Sequence, residues 1–175
     1  QSEIEEILSY LNVSKTTKRG FAFCKLSKLE SMITAIKKML YIKSVIVSQQ
    51  DIDEPDKTYL SASNEMMELI LTELFSNAKK FHPNGTPTLK VNIATVPNGI
   101  RIQVCDNGIR LSPEQLAGIW TPYYQGEKFH TGEVKGMGLG LSMVASIIWN
   151  IGGTCNAYNR TDISGLVIEL ILPFD

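Results

Sequence analysis

The chain has 175 residues, 43% of them apolar and 20% charged, and carries a formal net charge of −1 at pH 7. This is the profile of one ordinary globular domain able to bury its own core, and it excludes a disordered chain. Near-neutral charge gives no electrostatic reason to expect nucleic acid or an anionic membrane surface as the main partner, and no apolar run approaches the ~20 residues of a membrane span.

Ile4, Ile7, Leu8 and Leu11 recur at helical spacing and predict a short amphipathic helix over 2–12, followed by a polar, basic linker over 14–20. Residues 1–22 are thus expected to form a helix and linker ahead of a domain spanning 23–175. Because the chain opens without Met, it is read as a piece of something longer. Leu26, Leu29, Met32, Ile33, Ile36, Met39 and Leu40 predict a longer helix. Val45–Val47 and Tyr59-Leu60 predict short strands, separated by an acidic turn through Asp51, Asp53, Glu54 and Asp56. A second strong helix begins near Ser63 or Asn64, either of which suits a cap, and runs to about Phe81. Pro83-Asn84-Gly85 ends it.

A hairpin is expected next, with strands Thr88–Thr95 and Ile100–Cys105 joined at Pro97-Asn98-Gly99, since Asn-Gly is a strong hairpin signal. Residues 106–135 read as a long connection with short helical pieces, of the length used for lids and binding loops. An apolar helix over Ser142–Ile151 follows, then strands Thr154–Arg160 and Leu166–Leu172 joined by a turn at Asp162–Gly165. Helices segregated from a mostly antiparallel sheet predict an α+β fold, a two-layer α/β sandwich. Cys24, Cys105 and Cys155 are odd in number, lack a Cys-x-x-Cys pair and lie among apolar neighbours. They read as reduced, buried small hydrophobes in a cytoplasmic setting, not as a disulfide or zinc framework.

Three segments carry chemistry. Glu73, Asn77 and Lys80 share one face of the second helix. The amide oxygen suits a magnesium position, the ammonium suits phosphate, and the carboxylate suits orienting an attacking group or accepting its proton. Val104-Cys105-Asp106-Asn107-Gly108 ends a strand in a carboxylate beside a sharp turn, placed to accept a hydrogen bond from an exocyclic amine such as that of adenine. Lys135-Gly136-Met137-Gly138-Leu139-Gly140-Leu141 runs into a helix, whose free amides and positive dipole end favour phosphate. Each alone reads equally as a solvated face, turn chemistry or a tight loop.

In order and spacing the three together resemble the nucleotide-binding domain of the sensor histidine kinases, within the superfamily of gyrase, Hsp90 and MutL. The N box resembles Glu73-Leu74-Phe75-Ser76-Asn77-Ala78-Lys79-Lys80-Phe81, the first glycine box Asp106-Asn107-Gly108, and the second Gly136-Met137-Gly138-Leu139-Gly140-Leu141. Ile119-Trp120-Thr121-Pro122-Tyr123-Tyr124-Gln125 looks like the aromatic box before the lid. The resemblance covers roughly residues 26–174. It implies a Bergerat-type fold with a Mg-ATP site and histidine phosphorylation in a two-component phosphorelay. By it, Asn77 holds Mg2+, Glu73 is the catalytic carboxylate, and Lys80 faces phosphate and assists transfer. Asp106 reads adenine with Gly108 giving the ring room. Tyr124 and the run Lys135, Gly136, Met137, Gly138, Leu139, Gly140 and Leu141 line the nucleotide, and residues about 119–135 form the lid, to which Lys128 or Lys135 brings charge. The implied partners are ATP, a histidine-containing dimerisation domain of the same protein and a response regulator. No nucleic acid and no direct membrane contact are expected of this piece, and a membrane anchor elsewhere in the parent protein stays open.

Two departures stand out. Arg110 occupies the place where the first glycine box usually carries a second glycine, so its guanidinium either meets phosphate or weakens nucleotide affinity. The only histidines, His82 and His130, lack the acceptor box of these kinases, so the phosphorylated histidine is expected on another domain. The alternatives are a degenerate module serving as a regulatory interaction surface, and an ATPase or serine-phosphorylating anti-sigma kinase of the same superfamily.

Overall fold

A computed structural model describes residues 23–124 and 138–174. The expected helix over 2–12, its linker, and most of the expected lid lie outside these residues. In chain order the described elements are β1 (Cys24–Lys25), a 3-10 turn (Leu26–Lys28), α1 (Leu29–Met39), β2 (Ser44–Gln50), β3 (Tyr59–Leu60), α2 (Asn64–Phe81), β4 (Thr88–Val96) and β5 (Gly99–Cys105). They continue with α3 (Pro113–Gly118), α4 (Gly140–Asn150), β6 (Thr154–Asn159) and β7 (Leu166–Pro173). Five strands form one sheet in the order β2-β4-β5-β7-β6. Only β2–β4 is parallel; β4–β5, β5–β7 and β6–β7 are antiparallel. The result is the expected α+β sandwich, helices on one face of a mostly antiparallel sheet.

The two faces of the sheet follow from residue alternation. Val91 and Ile93 on β4, Ile100, Ile102 and Val104 on β5, and Ile168, Leu170 and Leu172 on β7 all turn inward and are buried. They meet Ile33 and Ile36 of α1, Met67, Ile70, Leu71, Leu74 and Phe75 of α2, and Val144, Ile147 and Ile148 of α4 in one core. Each such side chain contributes roughly 1.5–3 kcal/mol of hydrophobic stabilisation. The other face is polar: Ser48 Oγ donates to Asn92 Oδ1 at 2.7 Å, and Gln103 Nε2 donates to Tyr158 OH and Glu169 Oε2 at 2.9 and 2.8 Å.

Phe75 is fully buried at the centre of α2's inner face. Phe75→Ala should cost about 3–5 kcal/mol, the usual range for an emptied aromatic site, read as a lowered urea midpoint with an unchanged slope.

α2 starts where Ser63 accepts a hydrogen bond from the Met66 amide at 3.2 Å, so Ser63 is the cap and Asn64 the first helical residue. It stops at His82, which is extended because Pro83 disfavours helix at the residue before it. Near that end Lys79 Nζ donates to the Leu40 carbonyl at 2.8 Å, tying α2 to the C-terminus of α1.

Several expectations shift in detail. The first helix begins with a 3-10 turn, and α1 proper starts at Leu29. α4 begins two residues earlier than its apolar run suggests. The hairpin turn is Pro97-Asn98, because Val96 and Gly99 already face each other in the ladder. Proline fixes its φ near −65°, so this is no mirror-type turn. Gly99 is needed for another reason: a Cβ there would run into the carbonyl of Leu172 on β7. The thiols are free, Cys24 and Cys105 buried and Cys155 half-buried, and burial pushes Cys155 up to about 12. Among the described residues no helix is long and apolar enough to cross a membrane.

Candidate nucleotide site

The helical layer brings α2 and the start of α4 together. Gly140 opens α4, and a Cβ there would strike Glu73 Oε2 and lie 3.6 Å from Asn77 Nδ2. Glu73 and Asn77, one helical turn apart and both half-buried, therefore line the end of α4 where amides lack intrahelical partners. The N-cap residue, Leu139, has no side-chain oxygen to cap that end. Ser142 turns its hydroxyl back and donates to the Leu139 carbonyl at 2.9 Å. Carboxylate, amide and a positive helix terminus thus share one small region. Lys80, nearly one turn beyond Asn77, is exposed, with Nζ 5.2 Å from the centre of the Phe81 ring.

Asp106 leaves the end of β5 half-buried. Its Oδ1 accepts from the Gly108 amide at 2.7 Å and the Leu166 amide at 3.2 Å. Burial pushes the carboxyl above the usual aspartate value; those two amides, then Arg160 and His82, offset part of the rise. A Cβ on Gly108 would lie 3.1 Å from Asp106 Oδ1, tighter than side chains normally pack, so glycine lets the turn close. Asn107 Oδ1 accepts from the Thr88 amide at 2.7 Å, fixing the turn to β4.

The aromatic segment and the second glycine run also meet. The Tyr123 amide donates to the Gly138 carbonyl at 3.1 Å. Gly138 has φ +72°, and a Cβ on it would lie 2.8 Å from the Tyr124 carbonyl oxygen. Tyr123 itself takes φ +61°, an uncommon conformation for a bulky residue and a mark of local constraint. The Tyr124 ring packs on Gly118 at the end of α3. That short helix carries a complete capping box, Ser112 with Gln115. Leu139 is buried and Leu141 is half-buried against the core, so what they offer a ligand is main chain. Lys135, Gly136 and Met137 lie outside the described residues, as do Lys128 and His130.

Arg110 is turned toward the β6–β7 turn. Its Nη2 donates to the Arg160 carbonyl at 2.7 Å, gripping the β6–β7 turn. The sequence does not show this strap: Asn159 and Arg160 read as the end of a strand and Ser164 as part of a turn, yet all three bond to the segment 106–111. His82 is a turn residue whose Nδ1 accepts from the amides of Asn84 and Thr86 at 3.2 and 3.3 Å. Among the described residues no group of three His, Cys, Asp or Glu side chains gathers to hold a metal.

Comparison with known proteins identifies the family and the fold. Residues 63–175 match the model of the histidine kinase-, DNA gyrase B- and HSP90-like ATPases. The non-motile and phage-resistance protein of Caulobacter vibrioides is 32% identical over 126 residues, covering 70% of this chain and 15% of its own length. The sensor-like histidine kinase SenX3 of Mycobacterium tuberculosis is 28% identical over 123 residues, covering 69% and 29%. The chain therefore spans under a third of these curated relatives. Among solved structures, the mycobacterial sensor histidine kinase MprB superposes with a TM-score of 0.69 at 15% identity, covering 89% of this chain and 98% of that one. The catalytic domain of histidine kinase ThkA gives 0.69 at 19% identity, covering 89% and 96%.

Proposed function

We propose that this chain, which belongs to the histidine kinase-, DNA gyrase B- and HSP90-like ATPase family, is the catalytic domain of a two-component sensor histidine kinase. It binds Mg-ATP and transfers the γ-phosphoryl group to a histidine on a separate dimerisation domain. The observation that carries this reading is the packing of Glu73 and Asn77 against Gly140 at the amide end of α4. A triphosphate laid there meets unpaired amides and a positive dipole, both of which favour anions.

The residues suit a magnesium ion shared with phosphate. A hard cation takes oxygen ligands, and magnesium keeps several waters and substrate oxygens beside one or two protein groups. The Asn77 amide oxygen would be that group, and the ion would offset phosphate charge. No larger acidic cage is required.

Transfer then depends on placement and charge. An imidazole nitrogen of the incoming histidine attacks the γ-phosphorus. The bond from phosphorus to the β–γ bridging oxygen breaks, and ADP leaves with its electron pair. Glu73 accepts or holds the proton on the other imidazole nitrogen, and the α4 amides receive the developing charge. Asp106 selects adenine by accepting a hydrogen bond from its amino group at Oδ2, since Oδ1 already serves two amides. Lys80, on the same helix as Glu73 and Asn77, meets phosphate charge with its exposed ammonium. The histidine domain, the response regulator that receives the phosphoryl group, and any membrane anchor belong to the rest of the parent protein.

Asp106 supplies a pH test. Its folded-state carboxyl titrates above the ordinary aspartate value, so in the free protein ionisation opposes folding. Its stabilising contribution is complete below the unfolded-state value and is lost as pH rises through the folded one. Asp106→Asn should thus leave the nucleotide-free fold at least as stable at pH 7, in a thermal melt, while losing preference for ATP over GTP. Adenine binding needs the carboxylate, so wild-type affinity should fall on acidification, with a midpoint above that of an ordinary aspartate.

The deciding experiment for the reading is calorimetric titration with ADP and a non-hydrolysable ATP analogue, with and without Mg2+. Adenine-specific binding, tighter for the triphosphate with magnesium, is expected. No binding would leave the degenerate regulatory module in its place.

A further inference from the structure

We propose that Arg160, braced by Arg110, is a positioning residue for Asp106, holding the base-reading carboxylate in place from the β6–β7 turn. The inference rests on the reading of Asp106 as the adenine acceptor and adds the device that fixes its orientation.

The contacts are numerous and convergent. Arg160 Nη1 donates to the main-chain oxygen of Asp106 at 3.0 Å. The same guanidinium meets Asp162 through Nε at 3.0 Å and Nη2 at 2.6 Å, a two-pronged pairing that fixes its plane. Only 15% of the Arg160 side chain is exposed, against 65% for Asp162, so the outer carboxylate aims the inner cation. The Arg160 amide donates to the Gly165 carbonyl at 2.9 Å and closes the turn. At Gly165, with φ +136°, a Cβ would collide with the Asp106 carbonyl oxygen, so the turn lies directly against that peptide.

Around this centre, Gly108 and Leu111 are tied to the same strand end and turn. Ser164 Oγ donates to the Gly108 carbonyl at 2.7 Å. Asn159 accepts from the Leu111 amide and donates to the Leu111 carbonyl, both at 2.8 Å. Arg110 Nη2 holds the Arg160 carbonyl. A glycine at 110 would lack this last tie. The arginine exchanges backbone freedom at the root of the segment for a brace on the residue that fixes Asp106.

The geometry separates two jobs. Two amides hold Oδ1, and Arg160 stops the Asp106 peptide from rotating; Oδ2 then points in one direction. Charge follows the same route, for the Arg160 guanidinium favours ionised Asp106.

The test compares the 175-residue chain with Arg160→Ala, Arg160→Lys and Arg110→Gly, by titration with ADP and GDP and by amide hydrogen exchange without nucleotide. Arg160→Ala should weaken ADP about tenfold with GDP little changed, and should move the acid limb of ADP binding to higher pH. Exchange at the Gly108 and Leu166 amides should accelerate about tenfold while Ile102 and Val104 of β5 stay protected. Arg160→Lys keeps the charge and should restore the acid limb but not the exchange protection, since an ammonium cannot serve Asp162 and the Asp106 carbonyl in one plane. Arg110→Gly should shift both readouts the same way, about two- to threefold. A wild-type ADP-to-GDP ratio with wild-type exchange in Arg160→Ala would overturn the proposal, as would uniform acceleration through β5. If wild type binds neither nucleotide yet exchange at Gly108 and Leu166 responds as described, the positioning stands and the nucleotide reading fails.

Discussion

Asn77→Ala is expected to abolish magnesium-dependent tightening of triphosphate binding and to lower phosphoryl transfer to a supplied histidine domain by about 100-fold or more. That factor is the scale on which a single preorganised charge-stabilising group acts, about 2.7 kcal/mol. The reasoning is positional. Asn77 lies one turn beyond Glu73 on α2 and faces the first residue of α4, so its amide is a neutral donor set among groups that favour phosphate. Because Asn77 is half-buried and outside the packed core, its loss should leave the melting temperature nearly unchanged. Triphosphate binding that still tightens with magnesium in this variant would remove Asn77 from the metal site.

The second large effect is expected from Gly140→Ala, and it should separate stability from activity. In a helix, alanine is favoured over glycine by about 0.5–1 kcal/mol. The group its Cβ would strike is the tip of Glu73, a flexible carboxylate that can rotate away. The fold should therefore melt no lower than wild type. Rotation would carry the proposed proton-handling group off its position, and a displacement near 1 Å can cost about 100-fold in rate. Phosphoryl transfer should fall on that order, with ADP affinity changed by much less. A variant that loses stability and activity together would instead make Gly140 a packing residue.

Much of this arrangement was legible in the sequence because the signals were local. Ser63 caps α2 as its position before an apolar run suggests, the inner face of α2 follows the helical period, and Asp106 to Gly108 makes the turn its residues favour. The parallel pairing of β2 with β4 was not legible, since nothing in Ser44–Gln50 names a partner 44 residues on, Asn92 opposite Ser48. β1 was missed because two residues carry no period. The Asn-Gly signal at 98–99 pointed to a true hairpin for a wrong cause: Gly99 makes room for a neighbouring strand. Groupings within one helix or one turn could be read in advance. The strap of Asn159, Arg160 and Ser164 could not, because its partners are fixed only once β5 and β7 pair.

The bond from the Tyr123 amide to the Gly138 carbonyl has a consequence for how such a domain can vary. It holds Tyr123 and Gly138 at hydrogen-bonding distance, so the aromatic segment and the approach to α4 cannot diverge independently: a change at either anchor is felt at once by Tyr124, Gly118 and the first turn of α4.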